Sequence, residues 1–188
     1  MSQEKRPYVC PAELAGSLDN FFRRTVHNPR KILQPYISEN MKVLDMGCGP
    51  GYFTTELARL VGESGRVIAA DLQQGMLDKV NSKIRGTDLE RRVTLHKCQE
   101  VKIGVSEKVD FILAFWMVHE VPDQLRFFSE LKSILNQNGR IWIIEPRFHV
   151  NNRSFKTMVS NCESIGFEIV ERPKVSLSRT VILSGKNN

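Results

Sequence analysis

No apolar run in this chain approaches the roughly 20 residues that a membrane-spanning helix requires. The longest candidate, Phe111–Val118, is far too short. The opening stretch, MSQEKRPYVCP, is charged and has no apolar core of signal-peptide length, so the sequence predicts a soluble, cytoplasmic protein. Cysteine is scarce: Cys10, Cys48, Cys98 and Cys162 are scattered without CxxC spacing. That pattern argues against a zinc site or a disulfide framework and predicts reduced thiols and no bound metal. Internal repeats and low-complexity tracts are missing too. The net charge is +6, yet the basic residues are spread, as at Arg23-Arg24 and at Arg172 and Lys174, with no run of five and no aromatic-interleaved basic box. A solvated surface explains this charge better than a dedicated nucleic-acid patch.

At 188 residues and 41% hydrophobic content the chain is long enough for one domain with a sizeable core and too short for two comfortable ones. The sequence predicts a single domain over 1–188, with residues 1–35 as an N-terminal arm or lid and 36–188 as the core. The arm carries Pro7, Pro11 and Pro29 and an amphipathic piece around Leu18 to Val26; its Tyr8, Cys10, Phe21 and Phe22 read as hydrophobic docking groups. Beyond it, apolar runs and amphipathic stretches alternate. Strands are predicted at 42–46, 66–71, 93–97, 109–115, 140–144, 167–171 and 175–184. Helices are predicted at 54–61, 75–84, 123–135 and 155–165, the third turning Leu125, Phe128, Leu131, Ile134 and Leu135 inward and the fourth closed by Gly166. Asn138-Gly139 reads as a turn ahead of the fifth strand. Five strand-then-helix units imply an α/β fold with a parallel sheet covered on both faces, ending in an antiparallel pair at one edge.

The stretch Lys42 to Thr54, KVLDMGCGPGYFT, places three glycines directly behind the first strand. Strand, glycine loop and helix together place backbone N–H groups against a ligand at the carboxyl ends of the strands. A phosphate loop needs a Gly-Lys-Ser/Thr ending, which is absent, and a dinucleotide fingerprint needs a glycine where Tyr52 stands. Asp71 ends the second strand about twenty residues past the last glycine, where a carboxylate accepts hydrogen bonds from a ribose diol. The ligand therefore contains a nucleoside.

Asp45-Met46-Gly47-Cys48-Gly49-Pro50-Gly51, with Asp71 ending the next strand, resembles the first motif of the class I S-adenosylmethionine-dependent methyltransferases. The likeness extends from about Lys42 to the C-terminus, through strand 109–115, the Asn138-Gly139 turn and Ile144-Glu145-Pro146. It implies a Rossmann-like, doubly wound seven-stranded sheet in the order 3-2-1-4-5-7-6 with strand 7 antiparallel. It also implies S-adenosyl-L-methionine as cofactor and S-adenosyl-L-homocysteine as product. By the same likeness Gly47, Cys48, Gly49 and Gly51 lie along the methionine part, and Asp45 anchors the loop and the cofactor ammonium through water. Asp71 takes the ribose hydroxyls, Leu72 and Met76 flank the adenine, and the chain at Phe115 and Trp116 offers a backbone carbonyl to the cofactor's amino group. Where the family commonly has an adenine-binding Asp after the third strand, this chain has Cys98, leaving the Gln99 side chain or the local backbone to make that contact.

Methyl transfer from a sulfonium is an in-line displacement, so positioning and exclusion of water carry much of the catalysis. A base helps where the acceptor must lose a proton. His119 is the candidate base and Glu120 the candidate for orienting an amine or hydroxyl; Glu145, Arg147 and His149 follow the fifth strand on the same rim. The predicted substrate is a small, partly apolar acceptor, a range that includes carbon methylation of a quinone precursor. RNA methylation is an alternative raised by the positive charge. Against it, Phe115-Trp116-Met117-Val118 replaces the Asn/Asp-Pro-Pro-Tyr motif of amino-group nucleic-acid methyltransferases. The other alternative is a non-catalytic cofactor-binding protein.

Overall fold

The computed structural model describes residues 27–186, so the predicted docking groups Tyr8, Cys10, Phe21 and Phe22 lie outside the described residues. The described chain runs α1 (Pro29–Leu33), β1 (Lys42–Met46), α2 (Thr54–Leu60), β2 (Arg66–Asp71), α3 (Gln74–Ile84), β3 (Val93–Lys97) and β4 (Val109–Phe115), then α4 (Gln124–Ile134), β5 (Leu135–Pro146), α5 (Asn152–Ser164), β6 (Phe167–Glu171) and β7 (Ser178–Gly185). The seven strands form one sheet in the order β3-β2-β1-β4-β5-β7-β6. β1 lies between β2 and β4, with Leu44 level with Ile68 on one side and Ile112 on the other. Strands β1 to β5 are parallel, and β7 pairs antiparallel with both β5 and β6.

Period-two alternation assigns each strand residue to a face. Val43, Val67, Phe111, Leu113, Trp142 and Ile144 face one layer with Leu33 of α1 and Leu57 and Ala58 of α2. Ala69 faces that same side and packs with Leu77, Val80 and Ile84 of α3. Leu44, Ile68, Ile112, Ile141 and Ile143 face the opposite layer, with Phe128 and Leu131 of α4 and Phe155, Val159 and Cys162 of α5. Trp142, Phe111, Phe128 and Phe167 are fully buried; burying a side chain of this size contributes about 1.5–3 kcal/mol.

Four readings of the sequence are corrected. β3 is followed not by a helix but by a loop closed by a Gln99–Lys102 bridge, so four strands, not five, lead into a helix. β5 begins at Leu135, directly after α4, and Asn138-Gly139 lies inside it. The ladder with β4 shifts between Val109 and Phe111, absorbing residues 136–139 as an irregularity. On α4 it is Phe127, not Leu125, that joins the inward stripe; Leu125, in the first turn, is 46% exposed. α5 starts three residues early because the Asn151 side chain accepts the Ser154 N–H at 2.9 Å, a cap the apolar pattern cannot register. Gly166, at φ +87°, closes that helix as the pattern predicts.

The chain leaves β1 toward β2 and β3 and later leaves β4 toward β5. This places the reversal of strand order at the carboxyl ends of β1 and β4, where open α/β sheets bind their ligands.

Candidate active site

The loop after β1 folds back onto β2. Gly47 and Cys48 N–H both donate to Ala70 O, at 2.8 and 3.0 Å, and Gly51 N–H donates to Cys48 O at 3.1 Å. Gly49 N–H donates to Asp71 Oδ2 at 2.9 Å. Pro50 has no N–H, and its carbonyl accepts Lys83 Nζ at 2.5 Å. This corrects the expectation of a free N–H cradle: every amide of residues 47–51 is engaged inside the protein. What the loop offers is close backbone approach and no unspent donors, which disfavours a phosphate and leaves the nearby carboxylates to set the electrostatics.

A cavity of about 350 Å³ opens over this loop. It is lined by Asp45, Gly47, Cys48, Gly49, Asp71, Leu72, Met76, Cys98, Gln99, Phe115 and Trp116, so the structure brings together all but one of the cofactor residues read from the sequence. The exception, Gly51 (φ +82°), faces α3: a Cβ there would stand 3.0 Å from Val80. The sequence reading did not name Ile103, Val121 and Phe127, which together with Met117 form an apolar wall beside the loop. Ile103 comes from the irregular β3–β4 loop and Phe127 from the misread stripe of α4. The lining includes six carboxylates (Asp45, Asp71, Glu100, Glu120, Asp123, Glu130) against two cations (Lys102, Arg126), although the chain as a whole is positive. Such a lining suits a ligand with positive charge.

Asp71 holds the loop through Gly49, and Asp45 ties the end of β1 to the start of α2. Asp45 is buried and accepts Thr54 Oγ1–H at 2.6 Å. Burial pushes its carboxyl up to about 7; the Thr54 hydrogen bond opposes the rise and the Asp71 charge adds to it. Asp71 accepts Gly49 N–H on Oδ2 and Gln73 N–H on Oδ1 at 2.8 Å. Burial raises it as well, against those amides and Lys97. Each Asp71 oxygen keeps lone-pair capacity beyond the backbone bond. Burial also raises the thiols, Cys48 strongly and Cys98 to about 12, so neither is a nucleophile at neutral pH. The Cys98 side chain is 4% exposed, and its N–H donates to Asp71 O at 2.9 Å. The exposed Gln99 is held by paired backbone bonds with Lys102 at 2.9 and 3.3 Å.

Trp116 takes a left-handed backbone, φ +56°, a conformation that costs a non-glycine residue about 1–2 kcal/mol. Neighbouring bonds hold it there: its N–H donates to Ile144 O at 2.7 Å and its indole N–H to Ser178 Oγ at 3.0 Å. Its ring meets His27 and Phe148 edge-on at 5.1 and 5.3 Å. The next residues form a short 3₁₀ turn, Val118–Glu120, seated on buried Glu145. The Glu145 carboxylate accepts Val118 N–H and His119 N–H, both at 3.1 Å, and pairs with His119 Nδ1 at 2.8 Å. Burial alone would lower the His119 pKa, but the Glu145 hydrogen bond and the charges of Glu145 and Glu120 lift it above the ordinary imidazole value. His149 stacks on His119 with ring centroids 5.5 Å apart. Of the two candidate catalytic residues, Glu120 lines the cavity and His119 does not. Among the described residues no group of three or more His, Cys, Asp or Glu is placed to hold a metal ion, and no helix is long and apolar enough to cross a membrane.

This combination of sheet order, glycine loop and paired carboxylates defines a Rossmann-like nucleoside-binding site. Residues 37–183 match the family model described as a methyltransferase domain. A solved S-adenosylmethionine-dependent methyltransferase of Aquifex aeolicus is 27% identical, with a TM-score of 0.82 over 92% of this chain and 97% of that one. A demethylmenaquinone methyltransferase of Lactobacillus johnsonii is 33% identical over 103 residues, 54% of this chain and 42% of the relative. A Saccharolobus solfataricus protein assigned as a cobalt-precorrin-6B C(15)-methyltransferase (decarboxylating) is 28% identical over 182 residues, 92% of this chain and 86% of that protein. The chain spans about half the length of the quinone-pathway relatives it matches. It belongs to the class I S-adenosylmethionine-dependent methyltransferase superfamily.

The cavity fits that cofactor at a specific point. A Cβ built on Gly49 (φ +52°) would meet nothing within 4 Å, whereas one on Gly47 (φ +69°) would stand 2.8 Å from Met117 Cγ. Gly49 thus fronts the open space of the cavity, and Gly47 packs against protein. Gly49→Ala is expected to cost about 1 kcal/mol of stability from its backbone conformation and to weaken S-adenosylmethionine binding about tenfold, one lost close contact. Gly47→Ala should cost about 2–3 kcal/mol, because side-chain crowding adds to the strain. Denaturation and calorimetry on the two variants check the split; equal binding by Gly49→Ala and wild type would remove the assignment.

Proposed function

We propose that the protein transfers a methyl group from S-adenosylmethionine to a small, partly apolar acceptor by in-line displacement. The observation that carries this reading is one cavity that joins an acidic loop floor, at Asp45 and Asp71, to an apolar wall beside it, at Ile103, Met117, Val121 and Phe127. The bound cofactor supplies a methyl carbon activated by a positively charged sulfur. Gly47, Cys48 and Gly49 let the backbone approach its methionine part, and Asp45 provides the charge partner for its ammonium. Asp71 accepts from the ribose hydroxyls with the lone pairs left by Gly49 and Gln73. Leu72, 39% exposed where it lines the cavity, flanks the adenine together with Met76. Gln99 and the backbone around Cys98 serve its edge in place of the usual Asp, and the Phe115-Trp116 backbone meets the methionine amino group.

On the acceptor side Glu120 orients the substrate, and its carboxylate accepts a proton where the acceptor must lose one. His119 acts as a positioning residue: with Nδ1 committed to Glu145, it fixes the 118–120 turn that presents Glu120. The quinone-pathway relatives support an apolar acceptor.

Calorimetry with S-adenosylmethionine and S-adenosylhomocysteine tests cofactor binding, and turnover of methyl-labelled cofactor against metabolite pools and RNA tests the acceptor class. Glu120→Gln is expected to lower kcat about 10- to 100-fold with cofactor affinity unchanged, the range for a lost acid–base or orienting group. His119→Ala should raise KM more than it lowers kcat and should be partly rescued by His119→Asn, whose amide N–H stands where Nδ1 meets Glu145. Absence of binding heat with either cofactor form would sink the methyltransferase reading, and transfer confined to RNA would sink the small acceptor.

A further inference from the structure

A second cavity, of about 480 Å³, has the opposite electrostatic character. Its lining includes Arg147, Arg172, Lys174 and Arg179 and no carboxylate. It is built from the start of α5, the segment between β6 and β7, and the residue that follows β5. That puts it on the same rim of the sheet as the acidic cavity, because β7 runs antiparallel and begins where β5 ends. The two cavities share a wall: Trp116 lines the first, Ser178 lines the second, and the indole N–H of Trp116 donates to Ser178 Oγ at 3.0 Å.

None of the four cations forms an ion pair among the described residues. Two are fixed through the inner guanidinium nitrogen. Arg147 Nε–H donates to Ser178 O and Arg179 Nε–H to Val150 O, each at 3.0 Å. A guanidinium anchored at Nε keeps its terminal amino groups for a planar, two-oxygen partner. The segment itself is pinned by Arg147 N–H to Leu177 O at 2.9 Å, by Ser178 N–H to Val175 O at 3.1 Å and by a Thr180 Oγ1–H bond to Pro173 O.

We propose that this basic groove binds an anionic substituent, a carboxylate or phosphate, of the methyl acceptor. The inference rests on the small-acceptor reading above and narrows it: the acceptor pairs an apolar body with an acidic group lying beyond the Trp116–Ser178 wall. Opposite charge on the two sides of that wall sorts a cationic cofactor from an anionic acceptor.

The test is calorimetric titration of the full chain with inorganic phosphate and, separately, citrate at low ionic strength. Saturable binding is expected, weakened about tenfold or more in the double variant R172A/K174A, whose two exposed side chains lie outside the cofactor cavity. The S-adenosylmethionine dissociation constant should stay within about twofold of wild type, as expected for distant sites. The tighter of the two anions identifies the substituent. No saturation, or equal affinity in the double variant, overturns the proposal. So does a single-stranded RNA oligonucleotide that binds about 100-fold tighter than either anion and loses this in R172A/K174A, because phosphodiester binding then accounts for the groove. Failure of S-adenosylmethionine to bind wild type would overturn the preceding reading, while the anion titration still reads the groove itself.

Discussion

Asp45→Asn is expected to stabilise the protein at pH 8 while weakening S-adenosylmethionine binding about 10- to 100-fold, the cost of losing one charged partner. Asp45 is 2% exposed, and burial lifts its carboxyl from 3.8 to about 7. Between those values the folded protein holds a proton that the unfolded chain has released, so stability falls as pH rises through the window and the cost is complete above about 7. The window is about three units wide, which at about 1.4 kcal/mol per unit caps the cost near 4 kcal/mol. Asn keeps an oxygen to accept Thr54 Oγ1–H and carries no charge to desolvate. At pH 8 a gain of about 2 kcal/mol would raise Tm by roughly 4–8 °C for a chain of this size, and the gain should vanish below pH 4. Ligand binding runs the other way. A cationic ligand favours ionised Asp45, so wild-type affinity should climb with pH until about 7 and then level off, while Asp45→Asn stays flat. Calorimetry in buffers of different ionisation enthalpy would register a proton released on binding below pH 7. A flat wild-type profile from pH 5.5 to 8 would show that Asp45 does not face the cationic group.

That trade of stability for function explains which parts of the site could be read from the sequence. Asp45, Gly47, Gly49 and Asp71 stand out because each breaks a local rule: a carboxylate within an apolar strand, glycines behind it, an acid ending the next strand. The sheet order follows from the family resemblance carried by those residues, and the structure reproduces it strand for strand. What stays hidden depends on distant partners. Glu145 closes strand β5, and nothing nearby in sequence reveals that it will seat the backbone of Val118 and His119, 27 and 26 residues away. The inward turn of Phe127 and the helix-free β3–β4 connection are likewise set by packing, so the apolar wall of Ile103 and Phe127 could not be anticipated from periodicity. The amides of the glycine loop show the same limit. Their spacing points to a cradle, but only the fold shows that Ala70 and Asp71 have already taken them.

Asp71→Ala should be the most damaging single change in the cofactor site. It removes the acceptor for Gly49 N–H and Gln73 N–H, two bonds to a charged partner worth about 1.5–3 kcal/mol each. A net loss of about 2–4 kcal/mol of stability is expected, since water recovers part of that cost at a cavity wall. Gly49 then loses its tie to β2, while Gly47 and Cys48 keep theirs to Ala70 O, and the ribose loses its acceptor at the same time, so S-adenosylhomocysteine affinity should fall at least about 100-fold, or about 2.7 kcal/mol. Asp71→Asn should fare little better, because its amide nitrogen must face one of the two N–H donors and cannot accept. Loop support and ribose recognition separate in a double cycle with the 2′,3′-dideoxy analogue of S-adenosylhomocysteine. If Asp71 accepts from the diol, wild type should bind the analogue about tenfold or more weaker than the parent, a hydrogen bond to a charged group being worth about that much. Asp71→Ala should then bind the two alike. Equal discrimination by both proteins would assign the diol to another residue and leave Asp71 with the loop alone.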